Sequence, residues 1–125
     1  MKKEIKFLRC KHCGNIITFM KESGAPVICC GEPMAELKAN ASDGATEKHV
    51  PVVSKSEGKI QVAIGSVPHP MLTEHYIEWI ACVTDEKVEF RFLEPGVDPV
   101  AEFYHMNSGT VYEYCNLHGL WKADF

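Results

Sequence analysis

No stretch of this chain approaches the roughly 20 consecutive apolar residues that a membrane-crossing helix requires. The opening Met1-Lys2-Lys3-Glu4-Ile5-Lys6-Phe7-Leu8-Arg9 carries positive charge but lacks the apolar core of a secretory signal. The expectation is therefore a cytoplasmic chain that neither enters nor crosses a membrane. Positive charge is not in excess either. The 13 Lys and Arg are outnumbered by 17 Asp and Glu, for a net charge of −4. That balance excludes the basic face with which nucleic-acid binders neutralise phosphates. Internal repeats and low-complexity tracts are also missing, so solenoid and disordered architectures are set aside. What is present is 125 residues, 46% of them hydrophobic and 24% charged, which suits one ordinary globular domain with a small appendage.

Six cysteines stand out against that background. An even count in a short secreted chain would suggest disulfides, but cytosolic thiols are kept reduced. The spacing also speaks for metal. Cys10-x-x-Cys13 opens the chain and the adjacent pair Cys29-Cys30 follows. This approaches the zinc-ribbon or rubredoxin pattern, departing from it in that neighbouring cysteines cannot repeat the C-x-x-C knuckle, so a distorted tetrahedron is expected. A thioredoxin-type redox pair would need a βαβ surrounding that the sequence does not supply. The segment has too few apolar residues for a substantial core, so four thiolates on one iron or zinc would stabilise it. His12, inside the knuckle, reads as a solvated bystander.

The rest of the chain reads as strands. Ile5–Arg9 and Asn15–Met20 flank the knuckle, and Pro33–Thr46, rich in Ala, Gly, Ser and Asp, reads as connecting chain. Beyond it, Val50–Lys55 and Lys59–Ile64 flank Ser56-Glu57-Gly58, a hairpin signal. Tyr76–Thr84 and Lys87–Leu93 flank Asp85-Glu86, a second one. Met71–Cys82 can be drawn as a helix, but its aromatic and β-branched content favours a strand. Ala101–His105, Val111–Tyr114 and Leu120–Ala123 complete about seven short strands, near the count for an immunoglobulin-like β-sandwich. The boundaries expected are 1–36 for a small metal domain, 37–46 for a linker and 47–125 for the sandwich.

Chemistry concentrates in Cys115-Asn116-Leu117-His118-Gly119. C-x-x-H in a tight turn aims a thiolate and an imidazole at one point, which suits a transition metal. The amides of Leu117 and His118 can also point at the sulfur and tune its basicity. Alone, such a pair is more often a core cysteine beside a surface histidine. His49, His69 between two prolines, and His75 change the balance, because all three fall at strand–loop junctions. His105 lacks that context and is left out, and Cys82, inside an apolar strand, reads as a buried small hydrophobe.

Together, Cys10-x-x-Cys13 with Cys29-Cys30, Glu47-Lys48-His49-Val50-Pro51, His69-Pro70, Glu74-His75-Tyr76-Ile77-Glu78-Trp79 and Cys115-Asn116-Leu117-His118-Gly119-Leu120-Trp121 resemble desulfoferrodoxin, the two-iron form of superoxide reductase, along essentially the whole chain. The resemblance implies a mainly β protein, with a desulforedoxin- or rubredoxin-like domain ahead of a β-sandwich. It implies two iron ions and no haem. One iron would be held by Cys10, Cys13, Cys29 and Cys30, the other by His49, His69, His75, Cys115 and His118. The implied reaction is one-electron reduction of superoxide to hydrogen peroxide at ferrous iron, in the open position trans to Cys115. A rubredoxin-like protein would then restore the ferrous state, and the chain would form a homodimer. Lys48 would attract the anionic substrate despite the negative net charge, and Glu47 would reach the vacant position after oxidation. Three competing readings remain open here: a structural zinc or iron module without activity, a rubredoxin-like electron carrier, and a superoxide dismutase.

Overall fold

Short β-branched and aromatic runs punctuated by glycine, proline and aspartate favour strands and tight turns. The computed structural model, which describes residues 4–104 and 107–125, is almost wholly β. His105, with the end of the strand expected over Ala101–His105, lies outside the described residues. Two compact units form, Glu4–Lys38 and Ala39–Phe125.

The smaller unit contains β1 (Phe7–Arg9), β2 (Ile16–Thr18), β3 (Ile28–Cys29), β4 (Glu32–Pro33) and β5 (Ala35–Glu36). β1 lies between β2 and β5 in an antiparallel sheet, and β3 pairs with β4. β5 falls inside the Pro33–Thr46 stretch read from composition as connecting chain; its pairing with β1 is a tertiary event that composition does not encode. The β3–β4 turn is Cys30-Gly31, with φ of 52° and 79°. Both residues adopt the left-handed conformation of a two-residue hairpin, which glycine accepts freely and cysteine does not. This turn lets neighbouring cysteines share one site: Cys29 ends a strand and Cys30 opens the reversal.

The larger unit begins with a single helical turn, α1 (Thr46–His49), followed by seven strands: β6 (Pro51–Ser56), β7 (Lys59–Ile64), β8 (Ile77–Val83), β9 (Val88–Phe92), β10 (Val100–Tyr104), β11 (Thr110–Cys115) and β12 (Gly119–Asp124). They make a three-stranded sheet ordered β10-β7-β6 and a four-stranded sheet ordered β12-β11-β8-β9. The strand count matches the seven-stranded sandwich expected, and both expected hairpins are present in register. Met71–Cys82 is strand only from Ile77 onward, and before it Leu72 and His75 form an isolated bridge. Strand alternation builds the core. On β7, Ile60, Val62 and Ile64 are buried while Gln61 is exposed. They meet Ile77, Ile80, Cys82, Phe103, Val111 and Cys115. Each large side chain fully buried there contributes about 1.5–3 kcal/mol of transfer free energy. Cys82 is buried as expected.

Antiparallel pairing sets Pro51 opposite Ile64, and Cys115 opposite both Ile77 and Gly119. The segments entering β6, leaving β7, entering β8 and joining β11 to β12 therefore gather at one end of the larger unit.

Candidate metal centres

At that end His49, His69, His75, Cys115 and His118 come together, with one potential ligand atom from each within 4.8 Å of all the others. Each is brought by a separate device. His49 closes α1, and its Nδ1 lies 2.8 Å from the Ala45 carbonyl. His69 Nδ1 lies 2.7 Å from its neighbour's carbonyl, that of Pro70. A carbonyl only accepts, so both rings carry the proton on Nδ1 and turn a bare Nε2 inward. The register of β11 on β8 shifts between Tyr114 and Cys115, passing over Glu78, a bulge that re-aims the end of the strand bearing Cys115. His118 is anchored through its carbonyl, which accepts hydrogen bonds from Ser42 Oγ and from Trp121 Nε1, the latter at 3.1 Å. Trp121 also stacks on His49, with centroids 4.9 Å apart. Where α1 passes the end of β7, Gly65 is required. A Cβ there would lie 2.6 Å from the Glu47 carbonyl oxygen.

The resulting electrostatics call for a cation. His49 Nε2 sits 3.1 Å from His69 Nε2 and 3.1 Å from His118 Nδ1, and His75 Nε2 is buried with no hydrogen-bond partner among the described residues. Lone pairs at such distances repel unless something positive lies between them. Protons do not fill the role: burial holds the His49 and His75 imidazoles below the usual histidine range and brings His69 down to about 4. Burial also raises the Cys115 thiol, while the Leu117 and His118 amides at its sulfur pull the other way. A metal ion would displace that proton and satisfy all five groups. Four neutral imidazoles and one thiolate suit iron.

The smaller unit holds a second set, Cys10, Cys13, Cys29 and Cys30, within the same 4.8 Å limit. The Cys13 amide, and after it that of His12, draws the Cys10 thiol down to about 6. Cys30 is pushed up to about 12 by Cys13, Cys10 and Cys29. Four thiols so close do not ionise together without a cation, and tetrathiolate ligation fits iron or zinc. All six cysteines are free. His12, expected to be a bystander, is exposed and pairs with Glu32 at 3.1 Å.

Glu47 and Lys48 are both exposed on α1, beside His49. The Lys48 charge is felt inside the cluster, where it disfavours protonation of His49 and His75.

One residue near the site escaped the sequence reading. Glu113, inside the strand expected over Val111–Tyr114, faces inward between Val111 and Cys115 and is wholly buried. Neither carboxylate oxygen has a hydrogen-bond partner among the described residues, and burial lifts its pKa to about 9. Strict alternation from Cys115 was the available signal. The carboxyl stays protonated when folded but ionises near 4.5 when unfolded, so its contribution to stability declines as pH rises from about 4.5 to 9. Glu113→Gln removes that titration. Between pH 5 and 8 the variant is expected to gain on wild type by on the order of 2 kcal/mol or more in urea unfolding; parallel pH profiles would contradict a buried neutral carboxyl.

Among the described residues no helix is long and apolar enough to cross a membrane. Comparison with known proteins matches residues 41–124 to the desulfoferrodoxin family model and residues 2–37 to the model of the desulfoferrodoxin N-terminal domain. The chain is 46% identical over 125 residues to the desulfoferrodoxin of Nitratidesulfovibrio vulgaris, covering 99% of each protein. It is 44% identical to that of Clostridium acetobutylicum over 124 residues, again covering 99% of each. Among solved structures, the superoxide reductase from Treponema pallidum superposes with a TM-score of 0.79 at 31% identity, covering 98% of this chain and 99% of that one.

Proposed function

The chain belongs to the desulfoferrodoxin family, and from that premise we infer that it is a superoxide reductase carrying two iron ions, one for each donor set. The observation that carries the reading is the convergence of four imidazole nitrogens and one buried thiol on a single point. Ferrous iron bound there would supply the electron that, with two protons, converts superoxide to hydrogen peroxide. His49, His69 and His75 would hold it through Nε2, His118 through Nδ1 and Cys115 through Sγ. The Nδ1–H bonds to Ala45 and Pro70 fix two of the rings and raise the basicity of the opposite nitrogens. Cys10, Cys13, Cys29 and Cys30 would hold the other iron.

Lys48 would attract the anionic substrate against the negative net charge, and Glu47 would reach an oxidised ion held there. The reading extends to a rubredoxin-like external donor, a homodimer and a cytoplasmic setting, where reducing conditions keep the thiols available.

A superoxide pulse on the ferrous protein tests it. The histidine–cysteine centre is expected to oxidise with one peroxide formed per superoxide. Lys48→Ala should slow that second-order step and flatten its increase at low salt, because screening acts on the attraction removed. Glu47→Ala should leave the encounter rate nearly unchanged and alter the ferric spectrum instead. Equal rates and salt slopes for wild type and Lys48→Ala would make Lys48 an ordinary solvated lysine.

A further inference from the structure

The four histidines are not held alike. The rings of His49 and His69 are each fixed by a hydrogen bond on the nitrogen away from the cluster, and His118 is fixed through its carbonyl. The His75 ring makes no hydrogen bond among the described residues, and its buried Nε2 has no partner. His75 also sits in a loop, where among the described residues its backbone bonds only to Leu72 within the same short turn, at 2.9 and 3.1 Å. Something else must set the distance from that turn to the other ligands.

Asn116 occupies the place to do so. Its side-chain oxygen accepts the Tyr76 amide at 2.9 Å and its side-chain nitrogen donates to the Glu74 carbonyl at 3.0 Å, so it grips the residues on both sides of His75. The Asn116 backbone amide adds a third bond, to the Tyr76 carbonyl at 3.2 Å. Asn116 directly follows Cys115, so the grip ties the His75 loop to the turn that carries Cys115 and His118.

We propose that Asn116 is the positioning residue for His75, a clamp that holds the imidazole whose own backbone bonds stay within its short turn in register with the Cys115-x-x-His118 ligands. Asparagine suits the task because a single planar amide supplies both the acceptor and the donor that the two flanking peptides need. Alanine supplies neither, and aspartate supplies only the acceptor. The proposal rests on the functional reading above only in taking the five side chains as metal ligands.

The test uses the protein loaded with both irons. Asn116→Ala is expected to release iron from the histidine–cysteine centre to a chelator about tenfold faster or more, the range seen when a ligand's outer support is removed. The electron paramagnetic resonance line shape of that ferric centre should change, the Tyr76 amide should exchange with deuterium faster, and the tetrathiolate visible spectrum should stay as it is. Asn116→Asp should recover part of the retention. Thr110→Val removes the 2.8 Å bond from Thr110 Oγ1 to Asp124 at the far end of β11 and controls for general loss of stability; it should leave iron release and line shape at wild-type values. Wild-type release and line shape in Asn116→Ala, or equal iron loss in Thr110→Val, would overturn the proposal. If the alanine variant does not fold, Asn116→Asp decides, with faster release than wild type expected and a wild-type rate overturning it. None of these readouts involves superoxide. A protein that kept its iron but failed to reduce superoxide would sink the functional reading and leave the clamp standing.

Discussion

Cys115→Ser is expected to abolish the thiolate-to-iron absorption of the histidine–cysteine centre and to cut superoxide reduction by about 100-fold or more, because removing even an outer partner of a ligand costs about 10–100-fold. The physical reason is the exchange of a soft anionic donor for a neutral hydroxyl at a wholly buried position. The Leu117 and His118 amides now at the sulfur would then face an oxygen that resists ionisation far more strongly than a thiol. The four imidazoles keep their inward nitrogens, so some metal should still bind, without the thiolate colour. The tetrathiolate spectrum should persist, since the two donor sets share no residue. Visible spectra of the oxidised variant, with iron counted per chain, decide the matter. A Cys115→Ser protein with an unchanged second band would mean that this sulfur is not a ligand.

Cys13→Ser is expected to act on the other centre alone, with an effect on structure as large as the first has on chemistry. Cys13 is exposed, and its Sγ lies 3.6 Å from that of Cys29. Its loss leaves three thiols for an ion that needs four anionic soft donors. The unit around it has strands of two or three residues and little apolar burial, so metal binding and folding are one event there. Loss or degradation of the tetrathiolate colour should therefore come with faster proteolysis within Glu4–Lys38. Oxidation of the second iron by superoxide should remain near the wild-type rate. A pulse that no longer oxidised it would make the first iron part of the catalytic step.

The two centres were legible to different depths in the sequence. Cysteine spacing exposed the first donor set, because C-x-x-C and an adjacent pair near a glycine match the spacing of a tetrathiolate metal site. It did not reveal how adjacent cysteines could share a site. The left-handed turn at Cys30-Gly31 answers that, and it depends on β3 pairing with β4. Residue type and junction position singled out His49, His69, His75 and His118. The hairpin strands of the larger unit came within a residue or two of those observed, while Met71–Tyr76 proved to be loop and β3, β4 and β5 were not read as strands. Alternation on β11 was there to be read and would have placed Glu113 beside Cys115 on the inward face.

What this sequence determined by itself was the chemistry available and the repeat of its strands: thiols and imidazoles near turns, inward and outward residues in alternation, and hairpins punctuated where glycine or acidic pairs allow. These are local properties, set by side-chain type and by the two-residue period of an extended backbone. Only the folded backbone decided which nitrogen of His49 and His69 faces the cluster, since that follows from the Ala45 and Pro70 carbonyls being turned behind the rings. Tertiary structure decided that Glu113 is buried without a hydrogen-bond partner among the described residues, that Gly65 must admit the Glu47 backbone, and that Asn116 reaches 40 residues back along the chain to Tyr76. The Gly65 and Asn116 contacts join segments distant in sequence, and no spacing or composition encodes a distance that only chain packing and antiparallel pairing create.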